Sequence, residues 1–313
     1  MPRTRSTRAE HRPTAPGSAQ AVAPAVQRPE CQRPTGQGHP AAGPSCPVVP
    51  IVKALLDLLA TYLRLRVTGA FSFRASFFIE LAWGLAYFAV LLIFWRIVFL
   101  NVKSVATWTL AEVLLFMAFL ELFWSLTRGL FGATRYLWEF IKHAGIDAYL
   151  CRPADARLCL LLHNIDVMVL VRGAVMSVLW FASSGAAGLE LELTRVLGGL
   201  LVLAAGVLIY VEFSLTLNYL AFRWVNVKAL DELLGGFWDL LRYPLDLAPA
   251  LLRGLLTFVV PAIFTATFPT LVSLGRLPLS STLALAIVVL LAWHVLQDAA
   301  WRAGLRYYES QGG

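Results

Sequence analysis

The stretch LAYFAVLLIFW, Leu85–Trp95, holds no charged residue and no polar face. A helix of this kind in a soluble core would return polar side chains to water every three or four residues. GGLLVLAAGVLIYV, Gly198–Val211, has the same character. Followed outward, both belong to long apolar runs, and four more runs resemble them. The six are Ser76–Leu100, Trp108–Phe131, Leu158–Phe181, Val196–Phe222, Leu251–Leu274 and Ser281–Trp301. About 20 apolar residues rising 1.5 Å each cross a hydrocarbon core of about 30 Å. A mean hydropathy of +0.69 with 14% charged residues agrees. Barrel strands would alternate apolar and polar residues over about 10 positions, which these runs do not. Lipid gives backbone groups no hydrogen-bond partners, so the remaining solution is helical. The sequence predicts an all-α polytopic membrane protein with six transmembrane helices.

The net charge of +7 on 313 residues would suit nucleic acid, but its distribution points to the bilayer instead. Segments 50–75, 127–157, 219–248 and 302–313 hold 14 Lys and Arg, whereas the opposite side holds only Arg96, Lys103, Arg195 and Arg276. Basic residues are retained on the cytoplasmic side of a membrane. Both termini are therefore expected in the cytoplasm, with the protein multi-pass in the cell's inner (plasma) membrane and no nucleic-acid partner. Of the four cysteines, Cys31 and Cys46 lie in the N-terminal tail, Cys151 in an inner loop and Cys159 at a span start. No CxxC or Cys/His cluster exists, so neither a disulfide framework nor a metal site is expected.

Residues 1–48 carry six Arg against Glu10 and Glu30 in a Pro- and Ala-rich setting. Such a segment buries too little apolar area to offset its ordering entropy and is expected to be disordered. A domain of residues 49–313 follows. Ile51–Val67 places Leu55, Leu56, Leu59 and Leu63 opposite Lys53, Asp57 and Arg64, the pattern of a helix lying along the membrane surface. ATRYLWEFIKHAGIDAYLCRPAD, Ala133–Asp155, sets Tyr136, Leu137, Phe140 and Ile141 as an apolar stripe opposite Arg135, Glu139 and Lys142. Gly145 is expected to end that helix, and Pro153 to keep a second one from running through it. Val225–Tyr243 reads as another cytoplasmic amphipathic element with an acidic face of Asp231, Glu232 and Asp239.

The chain carries no GxxxxGK[ST] loop, no HExxH and no GxSxG, so ATP binding by a P-loop and two common hydrolytic chemistries have no carrier here. His294 and Asp298 stand one helical turn apart and are expected to pair near the inner interface. Seven charges fall within or beside the apolar runs: Glu80, Glu112, Glu121, Asp166, Arg172, Glu212 and Arg253. Each costs about 2.5–3.5 kcal/mol at a bilayer centre, so the deep ones should face protein or water. Arg172 would lie about 21 Å into a helix that began at Leu158. Glu80, Glu112 and Glu121 are its candidate partners. Such pairing serves helix packing or a polar pathway, and ion-coupled transport or lipid modification are the rival functional classes.

Three blocks carry a family resemblance: GIDAYLCRP (Gly145–Pro153), RYPLDLAPALLRGLLTFVVPAIFTATFP (Arg242–Pro269) and WRAGLRYYESQGG (Trp301–Gly313). In this order, and at these places relative to the apolar runs, they resemble permease subunits of type-2 ATP-binding-cassette (ABC) exporters. The similarity is to a bacterial six-span branch whose substrates are mostly unassigned, and it covers about residues 51–313. Ala248 is smaller than is usual in the second block. The resemblance implies that the chain is not itself an enzyme and has no cofactor of its own. ATP and Mg would be bound by a separate ABC ATPase subunit. A second permease would complete the membrane unit, and substrate would pass through a cavity of the first, second and fifth spans. It further implies that Tyr136–Pro153 docks on the ATPase. Tyr136, Leu137, Phe140, Ile141, Gly145, Ile146, Asp147, Tyr149, Leu150, Arg152 and Pro153 would form that coupling element.

Overall fold

The computed structural model of the protein describes Arg64 and residues 74–105, 107–142, 145–150, 155–161, 164–223 and 242–308. The predicted tail, the predicted surface helix apart from a helical Arg64, Arg152, Pro153 and the element from Val225 to Leu241 lie outside these residues. In chain order the helices are α1 Arg74–Asn101, α2 Leu110–Leu130, α3 Leu137–Lys142, α4 Asp147–Leu150, α5 Ala156–Leu161, α6 Val167–Ala186, α7 Leu193–Tyr219, α8 Ala250–Phe258, α9 Thr267–Ser273 and α10 Leu279–Leu305. Among the described residues five helices (α1, α2, α6, α7 and α10) are long and apolar enough to cross a membrane. The all-α polytopic reading holds.

α2 is the hub, buried over most of its length, including Leu114, Leu115, Phe116, Phe119 and Phe123. In lipid, helices associate through close packing rather than through the hydrophobic effect, so small residues mark the crossings. Gly173 of α6 lies directly against Ser125 of α2, and a Cβ there would collide with it. The Asp166 amide donates to the Gly129 carbonyl at 2.7 Å at the end of the same crossing. Phe119 meets Phe181, and Phe123 meets Tyr210, in edge-on ring contacts. α10 runs parallel to α7, joined by Phe213–Trp293 and Tyr219–Trp301 with centroids 4.9 Å apart in each pair.

Contacts between loops define the two ends of the bundle. At one end, Arg276 donates to the Thr107 carbonyl at 3.3 Å, the Trp108 indole donates to Asp246 at 3.2 Å, and Gly275 abuts Arg195. At the other, Asn218 donates to the Thr134 carbonyl at 2.8 Å, Arg157 to Asp298 at 3.0 Å, and Tyr308 to Asp147 at 2.7 Å. These are called below the Trp108 end and the Trp301 end.

Two predicted spans are built differently. The third does not begin at Leu158. The Asp166 carboxylate accepts from the amides of Met168 and Val169 at 2.9 and 3.2 Å, capping a new helix at Val167 and separating it from α5. The fifth, Leu251–Leu274, does not cross. Pro261 has no N–H to donate, and its ring would clash with the carbonyl four residues back, so α8 stops at Phe258. The chain then turns, with the amides of Ala262 and Ile263 donating to the Leu256 carbonyl at 2.9 and 3.1 Å. It returns as α9. Irregular backbone at membrane depth is tolerated where protein covers it, and Val260, Ala262, Ile263, Phe264, Thr265 and Ala266 are buried.

Both ends of this hairpin, Asp246 and Arg276, sit at the Trp108 end. Its inner part reaches Gly206, against which the Phe264 carbonyl packs, about 20 Å along α7. Arg223 follows Phe222, which packs on Trp301 and Gly304, and so lies at the opposite end from Tyr243, which packs on Trp95. Leu251–Leu274 therefore begins and ends at the Trp108 end. Reassigning Arg242 leaves the basic bias of the Trp301 end intact.

Candidate functional site

The seven predicted intramembrane charges separate into structural and cavity-lining groups. Glu112 lies in the first turn of α2, where its carboxylate accepts from the Thr109 amide at 2.9 Å and pairs with Arg276. It therefore closes the Trp108 end and is no partner for Arg172. Asp166 is the cap just described. Arg253 is exposed and donates to the Ala248 carbonyl at 3.2 Å. Glu212 of α7 accepts or shares a proton with His294 Nδ1 of α10 at 3.0 Å. The expected His294–Asp298 pair does not form, because Asp298 is taken by Arg157 at 3.0 Å and Arg302 at 2.6 Å.

The remaining three converge where α1, α2 and α6 meet. Arg172 Nε lies 3.8 Å from a Glu80 oxygen and has no hydrogen-bond partner. Because α6 starts at Val167, Arg172 is only about 8 Å into its helix rather than 21 Å. Its stem packs on Gly84 of α1. Glu121 of α2 lines the same cavity, which has a volume of about 330 Å³. Two cations complete it that the sequence reading had assigned to the inner-loop charge: Arg128 and Arg242. Arg128 also lies over the Trp124 ring at 4.6 Å, a cation–π contact. Trp83, Tyr87, Trp124 and Trp180 supply aromatic wall. Glu121, Trp124 and Arg128 are spaced by three and four on one helix face. That spacing was the available signal for a polar stripe inside an apolar run.

The second place of interest is the Trp301 end. Residues 132–135 form a 3-10 turn, followed by α3, a turn at Gly145, and α4. Leu137, Ile141, Ile146 and Tyr149 are buried against Val211, Leu215, Tyr219 and Trp301. Buried Asn218 of α7 locks this element: it accepts from the Trp138 amide at 2.9 Å and donates to the Thr134 carbonyl. The Gly145 amide donates to the Phe140 carbonyl at 2.8 Å. Asp147 accepts from Tyr308, and burial, then that hydrogen bond, raises the Tyr308 hydroxyl pKa above its ordinary value. The predicted apolar stripe thus divides. Leu137 and Ile141 hold the element to its own bundle, whereas Tyr136 and Leu150 are exposed and Phe140 half-buried. Tyr136, Phe140, Glu139 and Leu160 border a hollow of about 330 Å³.

Among the described residues no group of three or more His, Cys, Asp or Glu side chains converges as a metal site would require. In comparison with known proteins, the family model described as "ABC-2 family transporter protein" matches residues 85–312. No curated protein and no solved structure matches the chain.

Proposed function

The chain belongs to the ABC-2 transporter family, and from that premise we propose that it is the permease subunit of an ATP-driven exporter. It is a membrane transporter component. The finer reading is that a separate ABC ATPase binds and hydrolyses ATP with Mg, docks at the Trp301 end in the cytoplasm, and drives a pair of permeases, identical or related. The observation that carries this is the preformed element of residues 132–142 and 145–150. Transmission of a stroke needs a rigid contact, and this element is fixed by four buried apolar residues and by Asn218. It still presents Tyr136, Phe140 and Leu150 outward for a partner. Tyr308, just beyond α10, donates to Asp147 of this element, and Arg157 of the following α5 pairs with Asp298 of α10, so motion imposed there reaches α10.

Phe140→Asp tests the reading, because the residue is half-buried at the rim and its change leaves the four anchors in place. The full chain is co-expressed with its ABC ATPase, purified, and reconstituted in liposomes. The expected result is normal insertion with loss of ATPase association or of substrate-stimulated hydrolysis. Unchanged association together with unchanged coupling would contradict the assignment of this element.

A further inference from the structure

The cavity between α1, α2 and α6 does not end at Glu121. A second hollow of about 290 Å³ shares Tyr87, Leu91, Met117 and Leu120 with it and continues toward the Trp108 end. Its further walls are Val90, Phe94, Trp95 and Tyr243, with no carboxylate. Arg242 borders both hollows and is already engaged, so it adds nothing to the charge balance.

The other charges of the first cavity balance in number, Arg128 and Arg172 against Glu121 and the Glu80 beside Arg172. They do not all pair. Arg172 lies against Glu80, whereas among the described residues neither Glu121 nor Arg128 has an ion-pair partner within 4 Å. These two stand seven residues apart on one face of α2, about 10 Å along its axis, with Trp124 between them. Arg128 is about 3 Å from the Leu130 end of α2 and Glu121 about 14 Å. From the Trp301 end inward the groove therefore presents a guanidinium, then a carboxylate, then apolar walls.

Opposite charges held apart at membrane depth forgo the Coulomb energy that a direct contact would gain. A lone cation at Glu121 would meet Arg128 and Arg172, and a lone anion at Arg128 would meet Glu121. A molecule carrying both signs in the matching order gains at both places. Trp83, Tyr87 and Trp180 line the same cavity and supply aromatic surface of the kind that attracts an ammonium group.

We propose that this groove binds a zwitterionic amphiphile whose cationic group adjoins its apolar tail and whose anionic group is outermost. The ammonium lies at Glu121, the anion at Arg128, and the tail along Val90, Phe94 and Trp95. A phosphocholine head has the opposite order and would set its phosphate against Glu121, so an ordinary zwitterionic phospholipid of the bilayer is disfavoured. That the ligand is carried across the membrane rests on the permease reading; that it binds does not.

The full chain, purified in an uncharged maltoside detergent, is titrated with dodecyl probes at equal mole fraction in the micelle. Tryptophan fluorescence and thermal stability are read. Dodecyl sulfobetaine, with its ammonium next to the tail, is expected to bind about tenfold more tightly than dodecylphosphocholine, dodecyltrimethylammonium or dodecyl phosphate. The tail-free sulfobetaine head should bind more weakly than the tailed probe. Glu121→Gln should weaken dodecyl sulfobetaine about tenfold and shift the preference to dodecyl phosphate. Arg128→Gln should weaken it as much and shift the preference to the cation, while Arg128→Lys should retain most of the affinity. That reversal separates contact with the ligand from a packing defect. Equal affinities for the two zwitterions, preference for dodecylphosphocholine, or a singly charged probe matching the sulfobetaine would overturn the proposal. Weakening in both Gln variants without the reversal would do so too. A tail-free head matching the tailed probe would overturn the tail assignment. Sulfobetaine preference in a chain that associates with no ATPase would leave the groove's assignment standing and overturn the permease reading. Normal association without the preference would do the reverse.

Discussion

Charges at the two halves of this bundle look alike in the sequence and are used differently. At the Trp108 end, Glu112, Asp246 and Arg276 are matched: Glu112 to Arg276 and to a backbone amide, Asp246 to the Trp108 indole. Arg276 also lies over the Trp108 ring at 5.6 Å. These contacts bind both ends of the re-entrant hairpin to the start of α2. In the other half, Glu121 and Arg128 line a cavity without ion-pair partners among the described residues, and Arg172 reaches Glu80 only at 3.8 Å. The first set is used up in holding structure. The second is left facing space, which is where a ligand can be recognised.

If the Trp108-end contacts hold the hairpin, the largest effect should come from the seat they press it into. Gly206 lies beneath the Phe264 backbone carbonyl, which no rotamer change can move. Gly206→Leu is expected to cost about 3 kcal/mol and to lower the thermal midpoint in detergent by several degrees. Tolerance of Leu would show that the hairpin is not seated as described. Arg276→Leu should cost less, about 1.5 kcal/mol, because it strips Glu112 of a charged partner at a partly solvated site. The matching change in the cavity should cost less again. Arg172→Leu leaves Glu80 only about 9 Å from the start of α1, close enough to that end of the bundle to reach water, so about 1 kcal/mol is expected. The double change Glu80→Gln/Arg172→Gln should be nearly neutral for stability by the same thermal assay. A loss from Arg172→Leu as large as from Gly206→Leu would erase the contrast between the halves.

At the Trp301 end, Tyr308→Phe removes the hydroxyl that donates to Asp147 and should cost about 1 kcal/mol, no more than Arg172→Leu. The pH dependence has a definite sign. Tyr308 is an acid whose pKa is raised in the folded chain, so its contribution is present below its unfolded pKa of about 10 and is lost as pH rises beyond it. Thermal midpoints of the parent and Tyr308→Phe should converge above that pH. A constant difference through the alkaline range would mean that the hydroxyl is not the group responsible.

Much of this was legible in the sequence, because long apolar helices are dictated by local composition. The runs at Ser76–Leu100, Trp108–Phe131, Val196–Phe222 and Ser281–Trp301 correspond closely to α1, α2, α7 and α10. Where reading by hydropathy went astray, a single residue decided the outcome. Asp166 could have ended an apolar run or interrupted it, and only its bonds to Met168 and Val169 show that it starts a new helix. Pro261 announced a break in the fifth run, but whether the chain continued or turned back depended on distant contacts with Gly206, Trp108 and Thr107. The site was legible by residue type and not by pairing. Glu80, Glu121 and Arg172 were candidates, yet Arg128 and Arg242 were hidden among loop charges. The short helix at Leu137 and its apolar stripe were legible, but which half of that stripe faced inward required Val211, Leu215 and Tyr219 from α7.

The account stands on which residues share an end of the bundle, and on that end's side of the membrane. Single cysteines at positions 103, 187, 249 and 278, and at 139, 155, 223 and 306, introduced into a chain without its four native cysteines, address both in one experiment. Intact cells are treated with a membrane-impermeant maleimide, before and after permeabilisation. The expected result is labelling of 103, 187, 249 and 278 from outside, with 139, 155, 223 and 306 reacting only once the membrane is opened. Protection of 249 together with 223 while 278 reacts would make Leu251–Leu274 a true crossing and contradict the hairpin. A complete reversal of the two sets would place Tyr136, Phe140 and Leu150 away from the cytoplasm and contradict the ATPase-facing role of the Trp301 end.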